Sequence, residues 1–144
     1  MERSERLAEL FEELIPFNKT LGMKVDAVAD GTCVIRLPAR PEHIGNFLLP
    51  AIHGGVMSAM ADAAGGLAVF SRLPPAHSCA TLDLRIDYLR PAKADRDLVA
   101  RAQVVRLGNR VGVVNVDLFQ DGDPRPLAQV RAAYNVVAHR LLPE

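Results

Sequence analysis

The sequence predicts an α+β chain, with an antiparallel sheet of about six strands and one long helix packed against it. Three observations carry this reading. Residues 53–72 form one small, apolar stretch that is too long for a strand. Four valine-rich or alternating runs fill the second half, separated by Pro91, Gly108-Asn109 and the Asp121–Pro124 turn. Near the start, Asp30-Gly31 splits a short strand-like region in two, and both residues tolerate the positive φ of a tight hairpin. With 144 residues, 49% of them apolar and 24% charged, the chain suits a single domain with its own core.

Leu7, Leu10, Phe11, Leu14 and Ile15 recur at helical spacing, which predicts an amphipathic helix over Ser4–Ile15, capped by Ser4 and stopped by Pro16. Met23–Leu37 is the first hairpin. Prolines at 38, 41 and 50 predict an irregular loop over Pro38–Pro50. The long helix follows from His53 to about Arg72 and ends at Pro74-Pro75. Four consecutive antiparallel strands are expected at Ala80–Leu89, Leu98–Leu107, Arg110–Gln120 and Pro126–Ala138. In the first of these, Leu82, Leu84, Ile86 and Tyr88 give a dry face, and Thr81, Asp83, Arg85 and Asp87 a wet one. The expected division is an N-terminal helix over 1–15, a folded core over 16–138 and a tail over 139–144.

Composition excludes several function classes. Seventeen basic residues balance seventeen acidic ones, so no positive excess points to nucleic acid. Cys33 and Cys79 are far apart and lack ligand spacing, which predicts two reduced thiols; His43, His77 and His139 suggest no metal. The first fifteen residues alternate acids and bases without the apolar core of a secretory signal, so the cytoplasm is the expected location. Gly54–Phe70 is slightly short for a membrane span and carries Asp62 at its middle, where insertion would cost roughly 2.5–3.5 kcal/mol.

Asp62 is the only ionisable residue in Gly54–Phe70. A helix apolar all round is a buried helix, and a buried carboxylate without a nearby cation needs a reason. Ala61, Ala63, Ala64, Gly65 and Gly66 leave space beside it for a ligand or another backbone. At the other end, Ile52-His53-Gly54-Gly55 opens the helix, where free N–H groups and the dipole favour an oxyanion. His53 and Asp62 are nine residues apart, about 13.5 Å of rise and nearly opposite faces, so one chain cannot bring both to one site. A two-fold dimer can. An acid plus an oxyanion hole suits thioester hydrolysis, because the thiol leaves without strong general-acid help. No G-x-S-x-G nucleophile elbow is present.

Gly45-Asn46, Pro50-Ala51-Ile52-His53-Gly54-Gly55-Val56, Ala61–Gly66 and Leu84–Ala92 together resemble the hotdog-fold acyl-CoA thioesterases of the phenylacetate-pathway (PaaI-like) group, over about residues 16–138. The resemblance implies a long helix wrapped by a curved antiparallel sheet, edge-to-edge dimers that often form tetramers, and active sites at the subunit interface. It implies Asp62 as general base or nucleophile, the Gly54 N–H as oxyanion donor, Asn46 as a group that polarises the carbonyl or holds water, and His53 as the residue orienting the loop. Asn46 lies seven residues before His53, where many members have their amide six before. Thr81 matches a position often held by serine or threonine. Arg90 and Lys93, with Arg106, Gly108, Asn109 and Arg110 on the next turn, would bind the coenzyme A part of an acyl-CoA, and Gly55, Thr81 and Tyr88 would also contact the substrate, with no other cofactor and no metal. The acyl group would be a small or medium acyl or aryl-acyl chain, with pocket depth set by Phe47, Leu48, Met57, Met60 and the N-terminal helix. Two other readings share the fold: an acyl-CoA-binding module without turnover, and a hydratase or dehydratase.

Overall fold

The computed structural model describes residues 2–139, so of the tail expected over 139–144 all but His139 lies outside the described residues. Helix α1 (Arg3–Glu9) is opened by Glu2, not Ser4: Glu2 and Glu5 exchange a reciprocal pair of side-chain to backbone bonds across the first turn. The helix then widens into a single π turn, Leu10–Leu14. Pro16 does not stop the helical region. It occupies the first position of α2 (Pro16–Leu21), where its missing N–H is no loss, and Gly22 closes that helix at φ 83°.

Strands β1 (Lys24–Ala29) and β2 (Thr32–Leu37) form the expected hairpin, with Asp30 and Gly31 both at positive φ. The segment expected to be irregular contains a short 3₁₀ turn, Pro41–His43, and a two-stranded ribbon of β3 (Ile44–Asn46) and β4 (Ala51–Ile52). Its prolines border the ribbon, where no ladder N–H is required of them. Helix α3 (Gly54–Phe70) follows, then β5 (His77–Tyr88), β6 (Leu98–Leu107), β7 (Val111–Gln120) and β8 (Ala128–Ala138).

The main sheet is antiparallel in the order β1-β2-β6-β7-β8-β5. Of the four later strands, β6, β7 and β8 pair in chain order, but β5 pairs with β8 and not with β6 as four consecutive strands would require. Tight turns keep β6, β7 and β8 together, whereas the 89–97 connection crosses the sheet end and is pinned to the ribbon by Ile52 N–H to Ala92 O at 2.9 Å and Ala94 N–H to Pro50 O at 3.1 Å. Among the described residues this leaves β5 on an outer edge, paired on one side only, with β8.

Helix α3 contacts all six strands of the sheet. Met60, Ala61, Ala64 and Ala68 are fully buried on it, facing a core that includes Ile35, Leu98, Val114, Val116 and Leu118. The small residues let the sheet close on the helix from several sides, which is why α3 shows no single apolar stripe. Among the described residues no helix is long and apolar enough to cross a membrane.

Candidate active site

Asp62 lies mid-way along α3, half-buried, where β5 and β8 meet the helix. The Thr81 hydroxyl donates to its Oδ1 at 2.6 Å. The Tyr134 hydroxyl stands 2.7 Å from the Asp62 carbonyl oxygen and 3.3 Å from Oδ1. Thr81 is the short donor to Oδ1, Tyr134 shares its single proton between the backbone carbonyl and Oδ1, and among the described residues no donor reaches Oδ2. Burial, reinforced by the Asp62 charge, pushes the Tyr134 phenol well above its ordinary range, so it remains a donor. Cys79 stands beside them and donates to the Gly66 carbonyl at 3.6 Å; burial first and the Asp62 charge second push its thiol up to about 11. Cys33 is likewise a free thiol, buried in the core.

Thr81 reaches Asp62 because β5 is bulged. Thr81 pairs with Tyr134 and Asp83 with Ala133, so Leu82 is the extra residue. Before the bulge, odd-numbered Cys79 and Thr81 face α3; after it, even-numbered Leu84 and Ile86 do. Leu82 is expelled and 59% exposed. The expectation that Thr81 lies on the wet face and Leu82 on the dry one is thus reversed. The space expected beside Gly65 is also filled, by Tyr134. Sequence reasoning did not single out Tyr134; the even-numbered alternation Val130, Ala132, Tyr134 is the signal that places it on the inner face.

A second cluster surrounds the N-terminus of α3. His53 is its N-cap: its Nδ1 accepts the Gly55 N–H at 2.8 Å, and its own N–H bonds the His43 carbonyl at 2.7 Å. Gly54 begins the helix, so its N–H belongs to the set without an intrahelical acceptor. The Tyr88 hydroxyl donates to the Gly54 carbonyl at 2.7 Å, fixing the end of β5 to this turn. Asn46 Oδ1 accepts the N–H groups of Leu48 (3.0 Å) and Leu49 (3.3 Å), which ties that oxygen to its own loop. His43 is buried and reaches the Leu21 carbonyl through Nε2 at 2.9 Å. Eight residues of helix, about 12 Å, separate Gly54 from Asp62, so the two clusters stand apart within one chain.

A cavity of about 610 Å³ opens beside Asp62, bounded by α3, β5 and the N-terminal helical segment. Among the described residues, Asp62 is the only charged one lining it. Phe47 and Leu48 do not line it: they project from the ribbon turn, 83% and 78% exposed. Met57 and Met60 are buried against the sheet and do not line it either.

The expected coenzyme A cations divide into two kinds. Arg90 is already engaged, with Asp123 at 3.0 Å and the Arg125 and Pro126 carbonyls at 2.6 and 3.1 Å; hydrogen bonds from the Arg125 side chain and backbone first, and from Arg90 after them, hold the Asp123 carboxyl well below the usual range. Lys93, Arg106 and Arg110 are exposed and form no ion pair among the described residues. Gly108 and Asn109 complete the exposed β6–β7 turn. That turn continues the row Thr81, Tyr134, Gly112, Leu107, so it lies on the same cross-strand line as Asp62's partners. Among the described residues no group of three or more His, Cys, Asp or Glu side chains is placed to hold a metal.

The thioesterase superfamily pattern matches residues 49–126. A protein of Halobacterium salinarum, provisionally described as an esterase, is 37% identical over 124 residues, 81% of each chain. The medium/long-chain acyl-CoA thioesterase YigI of Escherichia coli is 29% identical over 143 residues, covering 90% of this chain and 91% of its own. Among solved structures, a mutant of the phenylacetic acid degradation protein PaaI from Thermus thermophilus superposes with a TM-score of 0.73 at 32% identity, covering 83% of this chain and 97% of that one.

Proposed function

The chain belongs to the thioesterase superfamily, and on that premise we propose that it hydrolyses acyl-CoA thioesters with Asp62 as the general base. The observation that carries this is Asp62 itself, a lone carboxylate on an apolar helix, held through Oδ1 by Thr81 and Tyr134 at the wall of an apolar cavity. Oδ2 would take a proton from water as the water oxygen bonds to the thioester carbon. The oxyanion that forms would lie against the N–H of a helix N-terminus. Collapse would expel coenzyme A as thiolate, which takes the proton back from Asp62.

The oxyanion donor comes from a second copy in this reading, and the fold supports a specific pairing. Asp62 neighbours Thr81 and Gly54 neighbours Tyr88, so α3 and β5 lie side by side in opposite directions. Setting Gly54 of one copy against Asp62 of the other puts a two-fold axis at Ser58 on the helix and near Leu84 on the open edge of β5. Directly opposed residues of antiparallel strands share a face, so the axis falls on a residue. An axis at Leu84 sets Asp83 opposite the partner's Arg85, twice over. An axis at Arg85 sets arginine against arginine and Asp83 against the partner's Asp87, which is unfavourable. Charge therefore favours Leu84.

Lys93, Arg106 and Arg110 are the cations left to meet the phosphates of coenzyme A. The test is thiol release from a panel of acyl-CoAs by the purified protein. Asp62→Asn should lower kcat by at least about 100-fold; activity unchanged in that variant would remove Asp62 from the mechanism.

A further inference from the structure

We infer that the cavity beneath the N-terminal helical segment is the acyl-tail site, and that it selects unbranched aliphatic tails of roughly eight to ten carbons. The inference rests on the thioesterase reading. The base must touch the thioester carbonyl, so the carbonyl lies at the Asp62 and Thr81 end. From there Ala63, Gly66, Leu67 and Phe70 carry the lining along one face of α3, at successive turns of the helix. The distance from position 62 to position 70 is about 12 Å of rise. A carbon–carbon bond of about 1.5 Å advances a zigzag chain by roughly 1.25 Å, which sets the carbon count.

The roof has the chemistry of a tail site. Leu7 and Phe11 are buried, but Leu10, Leu14 and Phe17 line the cavity while 47%, 69% and 59% exposed. The π turn between α1 and α2 presents Leu10, Phe11 and Leu14 together over the cavity. Of the polar side chains on the lining, Asn18 is turned away: its amide donates to the Phe11 carbonyl at 3.2 Å. Apolar side chains left half open beside a single acid are the surface that an aliphatic chain attached to a reacting carbonyl would cover.

The experiment measures kcat/KM for the full-length protein on straight-chain acyl-CoAs from acetyl to palmitoyl. The expected profile climbs about fourfold per methylene to a maximum at octanoyl or decanoyl and then falls. Ala63→Leu, which narrows the channel just past the base, should lower kcat/KM for octanoyl and decanoyl far more than for acetyl, and Phe70→Ala should move the maximum longer. Leu14→Ser alters an exposed side chain that folding does not need, and should lower the decanoyl-to-butyryl ratio about tenfold. A flat wild-type profile, or three variants with the wild-type profile, overturns the tail site and leaves thioester hydrolysis standing. Absence of thiol release from every member of the panel overturns the thioesterase reading and the tail site with it.

Discussion

The Tyr134 hydroxyl occupies the space that a side chain on Gly65 would need. Helix α3 therefore has a glycine at its centre so that a tyrosine from β8 can lie against its backbone and reach Asp62. Gly65→Ala should improve helix propensity by about 1 kcal/mol yet lose more to overpacking, typically 1–3 kcal/mol, and should lower kcat because Tyr134 is pushed from Asp62. Gly66→Ala is the contrast: its Cβ would meet only the Tyr134 ring edge at 3.4 Å, an ordinary contact, so its melting temperature should rise. Thermal melts of the two variants check this directly.

Thr81→Val keeps the shape of the side chain and removes the donor to Asp62 Oδ1. A hydrogen bond to a charged group contributes about 1.5–3 kcal/mol, so kcat should fall roughly tenfold to a hundredfold with little change in KM. Thr81→Ser should restore most of the rate. Steady-state kinetics on one acyl-CoA would contradict the assignment if valine and serine behaved alike.

The Leu84-centred edge pairing makes a charge prediction. Arg85→Asp should weaken self-association, because it sets aspartate opposite the partner's Asp83. Combining it with Asp83→Arg should restore association with the signs exchanged. Sedimentation velocity reads both, and equal association in all three proteins would exclude this register.

Two half-sites per chain can be tested by mixing. Neither Asp62→Asn nor Gly54→Pro, which removes the first N–H of α3, should be active alone. After subunit exchange at equal amounts, about a quarter of the wild-type activity should return, since half of the dimers carry one intact site out of two. No recovery in a mixture shown to contain heterodimers would put the whole site in one chain.

Cys79 offers a chemical reading of the Asp62 charge. With its thiol pushed up to about 11, alkylation by iodoacetamide near neutral pH should be slow and should rise about tenfold per pH unit below that value. Asp62→Asn removes the second cause of the upward shift, so labelling at a fixed pH should accelerate. Cys33, 1% exposed and with its thiol pushed up to about 12, should stay unlabelled. Peptide mass mapping separates the two.

Helix α3 was legible because its composition is extreme, and Asp62 because it is alone there; the first hairpin was legible because Asp30-Gly31 is a local backbone signal. The environment of Asp62 was not. The alternation from Leu82 to Tyr88 is regular enough to imply one continuous face, and nothing local marks Leu82 as the residue that the β8 ladder skips. Tyr134 lies 72 positions from Asp62, and their meeting depends on β5 pairing with β8 rather than with its nearer neighbour in the chain. The N-terminal apolar spacing predicted a helix, but periodicity does not distinguish an α turn from the π turn that faces the cavity.

Pairing of two copies through the open edge of β5, as proposed, would make dilution a form of inhibition. A lone chain would hold its base without an oxyanion partner while presenting a twelve-residue strand edge to any extended segment it meets. Specific activity and resistance to aggregation should then decline together as the protein is diluted, with one shared midpoint set by the affinity of one copy for another.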